Sequence, residues 1–132
     1  MHCSNTHNNF LVYGTNGLKS DYSGHDNHAH DNVYAFVTIG WGTSQHPPTA
    51  GHEDYFVNNH VILSADGNYG DGWCNGGMVT GNNTVYSPTA AVSECNEPLA
   101  KWQAKGNDPG SVARVWPSTA AIIALAHTVL GF

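Results

Sequence analysis

Asn58-Asn59-His60-Val61-Ile62-Leu63 joins an amide pair to a short apolar run, and the same join occurs three more times. Asn8-Asn9 precedes Phe10-Leu11-Val12-Tyr13, Asp31-Asn32 precedes Val33-Tyr34-Ala35-Phe36, and Asn82-Asn83 precedes Thr84-Val85-Tyr86. From copy to copy the second residue of the pair advances by 23, 27 and 24 positions. A repeat in the twenties with one strand-like run per period is the pattern of a solenoid, in which each coil lies on the one before. Positions one repeat apart then become neighbours about 4.8 Å apart, the spacing of paired strands. Chemistry in such a chain is to be sought in stacked columns, not in a linear motif.

Aligning the copies on Asn9, Asn32, Asn59 and Asn83 gives a column able to form a ladder of side-chain amides between coils. Two positions on, Leu11, Tyr34, Val61 and Val85 are apolar and read as core. Four positions on, Tyr13, Phe36 and Leu63 read the same way, with Ser87 breaking the column. The position just after the anchor (Phe10, Val33, His60, Thr84) is mixed and reads as outward.

The rest of the composition agrees. One domain fits 132 residues. Fifteen Gly, abundant Asn, Ser and Thr, and only four Lys+Arg suit a turn-rich β protein rather than a helical bundle. A formal net charge of −6 argues against nucleic acid, which needs clustered cations. No apolar stretch reaches the roughly 20 residues that cross a bilayer, so no membrane partner is expected. No leader precedes the first repeat, and the expectation is part of a longer, extracellular protein, with a cytoplasmic location as the alternative. The first repeat begins within a few residues of Met1, so an uncapped N-terminal coil is expected to favour self-association. Cys74 and Cys95 lie 21 positions apart, close to one repeat. They read either as a disulfide between coils with Cys3 left over, or, with Cys3, as three free thiols.

Near Glu97 the texture changes. Leu99 to Gly106 reads as a short helix, and Ser118 to Leu130 as a longer one capped by Ser118 and ended by Gly131. Ile122, Leu125, Ala126, Val129 and Leu130 form its apolar face, suited to a lid over the last coil. The assignment is residues 1–96 to coils and 97–132 to a helical cap. The asparagine turns, the mid-twenties coils and parallel stacking resemble the right-handed parallel β-helix of the pectate-lyase type. The segment from Lys101-Trp102-Gln103 to Gly106-Asn107-Asp108-Pro109-Gly110-Ser111 is similar to the C-terminal end of β-helix proteins. The fold expected is therefore all-β, a short right-handed parallel β-helix of about four coils. The resemblance implies a carbohydrate-active module, lyase- or glycoside hydrolase-like, acting on a polysaccharide. Enzymes of that type use Arg or Lys as base, often with Ca²⁺ held by acids; this chain offers only Lys19, Lys101, Lys105 and Arg114.

Chemistry concentrates seven and six places before the anchor. His2, His25, His52 and Gly76 form one column, and Cys3, Asp26, Glu53 and Gly77 the next. Gly24-His25-Asp26-Asn27 and Gly51-His52-Glu53-Asp54 match without a gap, so two imidazoles and two carboxylates should stack. As an acid–base pair, Asp26 and Glu53 would share a proton, one titrating above its usual range, with His25 and His52 assisting. As a metal site the same four side chains would hold Zn²⁺ or Cu²⁺. As turn chemistry the acids would only cap backbone N–H groups. Tyr55, His28 and Trp41 are the expected substrate contacts, with Trp73 and Tyr69 as further aromatic surfaces for sugar rings. A non-catalytic glycan- or metal-binding or structural module is the alternative.

Overall fold

The structure, a computed structural model, describes residues 3–21, 25–44 and 49–132. His2 of the histidine column, Gly24 of the first Gly-His-acid turn, and the turn Gln45-His46-Pro47-Pro48 lie outside the described residues.

The chain is a parallel β-solenoid of about four turns. Its first face stacks Asn5–His7, His28–His30, Asp54–Val57 and Met78–Gly81. Its second stacks Phe10–Val12, Val33–Val37, His60–Leu63 and Thr84–Ser87, and a fifth strand, Val112–Val115, joins from the segment assigned to the cap. The remaining side is split. Asn16–Asp21, Ile39–Ser44 and Gly70–Asp71 form one sheet, and Gly67–Asn68, Val92–Glu94 and Glu97–Pro98 another, whose last pairing is antiparallel.

The amide pairs make the turns. Asn8, Asp31, Asn58 and Asn82 all have left-handed backbone, with φ of 55°, 53°, 57° and 53°. Asn and Asp tolerate that region best among residues with a Cβ. The next residue then points its amide inward. Asn59 Oδ1 accepts from Asn32 N (3.0 Å) and Nδ2 (3.2 Å), and Asn59 Nδ2 donates to Ala29 O (3.0 Å) and Asn83 Oδ1 (3.3 Å). The ladder ends on a rung that the Asn pattern does not show. Asn83 N donates to Ser111 Oγ at 2.9 Å, and Gly110, φ 78°, takes the left-handed place. A second ladder runs along the first face: Ser4 Oγ donates to Asn27 Oδ1 (2.8 Å), and Asn27 N and Nδ2 donate to the buried Asp54 Oδ1 at 2.8 and 3.0 Å.

Tyr34, Val61 and Val85 line the interior as expected, meeting Ala29 and Phe56 from the first face, with the Tyr34 and Phe56 rings 5.5 Å apart. Leu11, in the same column but in the first coil, is 41% exposed. The fourth position needs correction. Tyr13 and Phe36 have positive φ and bulge outward, where their rings stack at 5.5 Å; Val37, not Phe36, pairs with Leu63 inside. One extra residue in a strand turns the next side chain to the other side.

Helix α1 spans Leu99–Gln103 and α2 spans Thr119–Leu130, the latter capped by Ser118 Oγ and ended by left-handed Gly131, as the sequence indicates. α2 does not close the end of the solenoid. It lies along the second face, where Ile122 packs in one cluster with the outward-facing Ala35 and Ile62 and contacts fall on Val33–Val37 and Phe10–Val12. The outward residues there are therefore buried, Val33 included. Amphipathicity fixes which side of a helix is covered, not which surface covers it.

Trp41 sits at 2% exposure directly opposite Gly70. A Cβ at Gly70 would lie 1.9 Å from Trp41 Nε1. Gly70→Ala is therefore expected to cost about 2–3 kcal/mol by overpacking. Denaturant unfolding followed by tryptophan fluorescence checks it, and an unchanged midpoint would contradict the fit.

Candidate metal and acid–base site

The register His28↔Tyr55 on the first face carries back three residues to set His25 beside His52. Asp26 has φ 56°, so its Asp26-Asn27 turn repeats the geometry of Asp31-Asn32, one ladder over. That left-handed turn sends the Asp26 carboxylate outward between the two imidazoles. His25 Nδ1 and His52 Nδ1 each lie 2.7 Å from the same oxygen, Asp26 Oδ2, with ring centroids 5.0 Å apart. The two hydrogen bonds, His25 first, hold the Asp26 carboxyl below the usual carboxylate range. With Nδ1–H of each ring donated to Asp26, both Nε2 atoms present lone pairs. All three groups are reachable from solvent, His52 most of all. Among the described residues, His25, Asp26 and His52 form the group of His, Cys, Asp or Glu side chains compact enough to hold a metal ion, one ligand atom each; to ligate through Nδ1, a ring would carry its proton on Nε2 instead.

Glu53 does not complete the expected pair. Its Oε1 accepts from Gly51 N at 3.1 Å, so it caps its own turn, and the lowered Asp26 removes the expected shared proton at that residue. His28 and Tyr55 do come together: their rings stack at 4.4 Å on the outside of the first face, two residues past Asp26 and Glu53 respectively. Trp41 is not a surface contact. It is buried and its Nε1 donates to Glu94 Oε1 at 3.1 Å, and Tyr69 is likewise interior, its hydroxyl donating to Asp108.

The sequence offers His30, on the same segment as His28, as a further member of either arrangement; the structure sets it on a neighbouring ridge. His30 Nδ1 meets Asp31 Oδ2 at 2.6 Å, His30 Nε2 meets Asn5 Oδ1 at 2.8 Å, and His7 stacks on His30 at 5.1 Å. The signal was present, because His25-Asp26-Asn27 recurs at once as His30-Asp31-Asn32. Only the first copy receives a second imidazole on its carboxylate. Cys74 and Cys95 are joined as a disulfide with Cα atoms 5.9 Å apart, leaving Cys3 free and exposed.

No helix among the described residues is long and apolar enough to cross a membrane. Compared with known proteins, the chain matches no family model, and no curated protein or solved structure matches it at a significant level.

Proposed function

We propose that this protein is a β-solenoid module that binds a first-row divalent metal ion, Zn²⁺ or Cu²⁺, at His25, Asp26 and His52. The observation that carries this reading is the convergence of two imidazole nitrogens from adjacent coils on one carboxylate oxygen. Hydrogen-bonded atoms at 2.7 Å must open to about 3.3 Å to surround an ion at about 2.0–2.1 Å. Shifts of that size fall within small rotations of half-exposed side chains. Nitrogen with one hard oxygen suits Zn²⁺ or Cu²⁺, and Ca²⁺, which takes oxygen ligands, is disfavoured. Three protein ligands leave a position for water or a substrate atom. The disulfide suits an oxidising, extracellular setting.

Equilibrium dialysis against Zn²⁺ with elemental analysis tests the reading. One equivalent is expected to be retained by the native chain and lost, with affinity down by at least about 100-fold, in Asp26→Asn and His52→Ala. Retention by both variants, or none by the native chain, would sink it.

A second reading, a carbohydrate-active module of pectate-lyase or glycoside hydrolase type, is favoured by the His28–Tyr55 stack beside the site. A sugar ring packed on that shelf would bring its hydroxyls to the Nε2 atoms of His25 and His52, each oriented as a base by Asp26. Reducing-end or unsaturated-product release from a panel of acidic and neutral polysaccharides, lost in His52→Ala, is its test.

A further inference from the structure

A separate cavity of about 340 Å³ lies at the far end of the solenoid, between the last first-face strand, Met78–Gly81, and the loop ending at Pro109. Its rim includes the exposed Gly76, Val79, Gly106 and Pro109, so solvent reaches it. Its walls include the apolar Met78, the Cys74–Cys95 disulfide and the ring of Trp102, with Thr80 and Asn107 as polar members. Two acids line it, Glu94 at 0% exposure and Asp108 at 2%.

The acids are treated differently by their neighbours. Asp108 is held through both oxygens, Oδ1 accepting from Ser111 Oγ at 2.5 Å and Oδ2 from the Tyr69 hydroxyl. Glu94 Oε1 accepts from Trp41, while Oε2, fully buried, has no well-formed hydrogen bond. A buried carboxyl oxygen without a partner costs about 1–3 kcal/mol, and Glu94 is among the residues that line the cavity. Among the described residues no ion pair reaches Glu94 or Asp108, and Lys101 and Lys105, the lysines at this end, both pair with Glu97.

From this geometry we propose that the cavity binds a small organic cation, a primary ammonium on an apolar body, with the ammonium between Glu94 and Asp108. On binding, an ammonium displaces the proton that Glu94 otherwise keeps, donates to Glu94 Oε2 and compensates the charge of both carboxylates, which a neutral ligand leaves uncompensated. The apolar body lies against Met78, Trp102 and the disulfide. A hydrated metal ion has no use for those walls and would lose its water against them. Burial, with the adjacent Asp108 carboxylate adding to it, lifts the Glu94 carboxyl to about 9, as expected for an acid lacking a cation; Thr80 and Trp41 oppose that shift.

Thermal unfolding and calorimetric titration of the intact chain with benzylammonium, benzyl alcohol, methyl glucoside and CaCl₂ test the proposal. At about 10 mM, enough to occupy a millimolar site, benzylammonium alone is expected to raise the melting temperature and give a binding isotherm. Glu94→Gln, which keeps the side-chain shape, should weaken it by about tenfold or more. Val79→Trp, which narrows the rim without touching an acid, should do the same. An equal response to benzyl alcohol, a response to methyl glucoside or CaCl₂ instead, persistence in both variants, or no response at all would overturn the proposal. This site shares no residue with His25, Asp26 and His52, so its failure leaves the metal reading intact.

Discussion

Asn59→Leu is expected to lower the unfolding free energy by roughly 3–4 kcal/mol, because several buried polar groups lose their partner at once. Asn32 N and Nδ2 lose an acceptor, while Ala29 O and Asn83 Oδ1 lose a donor. Leucine brings apolar surface to a position bounded by amides and satisfies none of them. Asn9→Leu is the control. Asn9 is exposed, and Asn32 Oδ1 would keep its bond from the backbone N of residue 9, so a loss below about 1 kcal/mol is expected. Urea unfolding of both variants checks the difference. Equal effects would mean the interior ladder is not what holds the coils in register.

Glu94→Gln is expected to make the protein more stable than the native chain at alkaline pH, by at least about 2 kcal/mol near pH 8. In the unfolded chain the carboxyl ionises near its usual 4.5, while in the fold burial keeps the proton on until about 9. Between those values the folded state holds more protons than the unfolded one. Native stability is therefore full below 4.5 and falls as pH rises toward 9, by up to about 1.4 kcal/mol per pH unit. Glutamine has nothing to ionise. Its oxygen still accepts from Trp41 Nε1 and its amide can donate toward Asp108. Every other ionisable group is common to both proteins, so subtracting the two stability profiles isolates residue 94. A difference that shrinks toward zero near pH 5 is the expected result. A constant deficit of the variant at every pH would show Glu94 to be ionised in the fold.

The coils were legible because their determinants are local. A left-handed turn selects Asn or Asp, a ladder selects Asn, and both recur within six residues of each apolar run. The second ladder escaped because its rungs change type, from Ser4 to Asn27 to Asp54, although the geometry is constant. Ser111 escaped for the same reason, Gly110-Ser111 standing where Asn-Asn stood before. The bulge at Phe36 cannot be read from a run in which every candidate, Tyr34 to Val37, is apolar. Trp41 was expected as a surface contact for sugar rings, whereas Gly70, from the next coil, leaves room for its ring inside. At the candidate site the repeat brought His25, Asp26 and His52 together as expected. It misjudged Glu53, because matching columns fix where a Cα lies but not whether a longer side chain turns back on its own loop. Glu94 and Asp108 meet across the last turn with no repeat phase in common, so nothing in the spacing announces them.

Anomalous diffraction from crystals grown with Zn²⁺, recorded on both sides of the zinc edge, tests the metal site most directly. The account predicts one strong peak about 2.0–2.2 Å from a nitrogen of His25, a nitrogen of His52 and an oxygen of Asp26. A peak on the His7–His30 ridge alone, or none at Asp26 under saturating zinc, would contradict it.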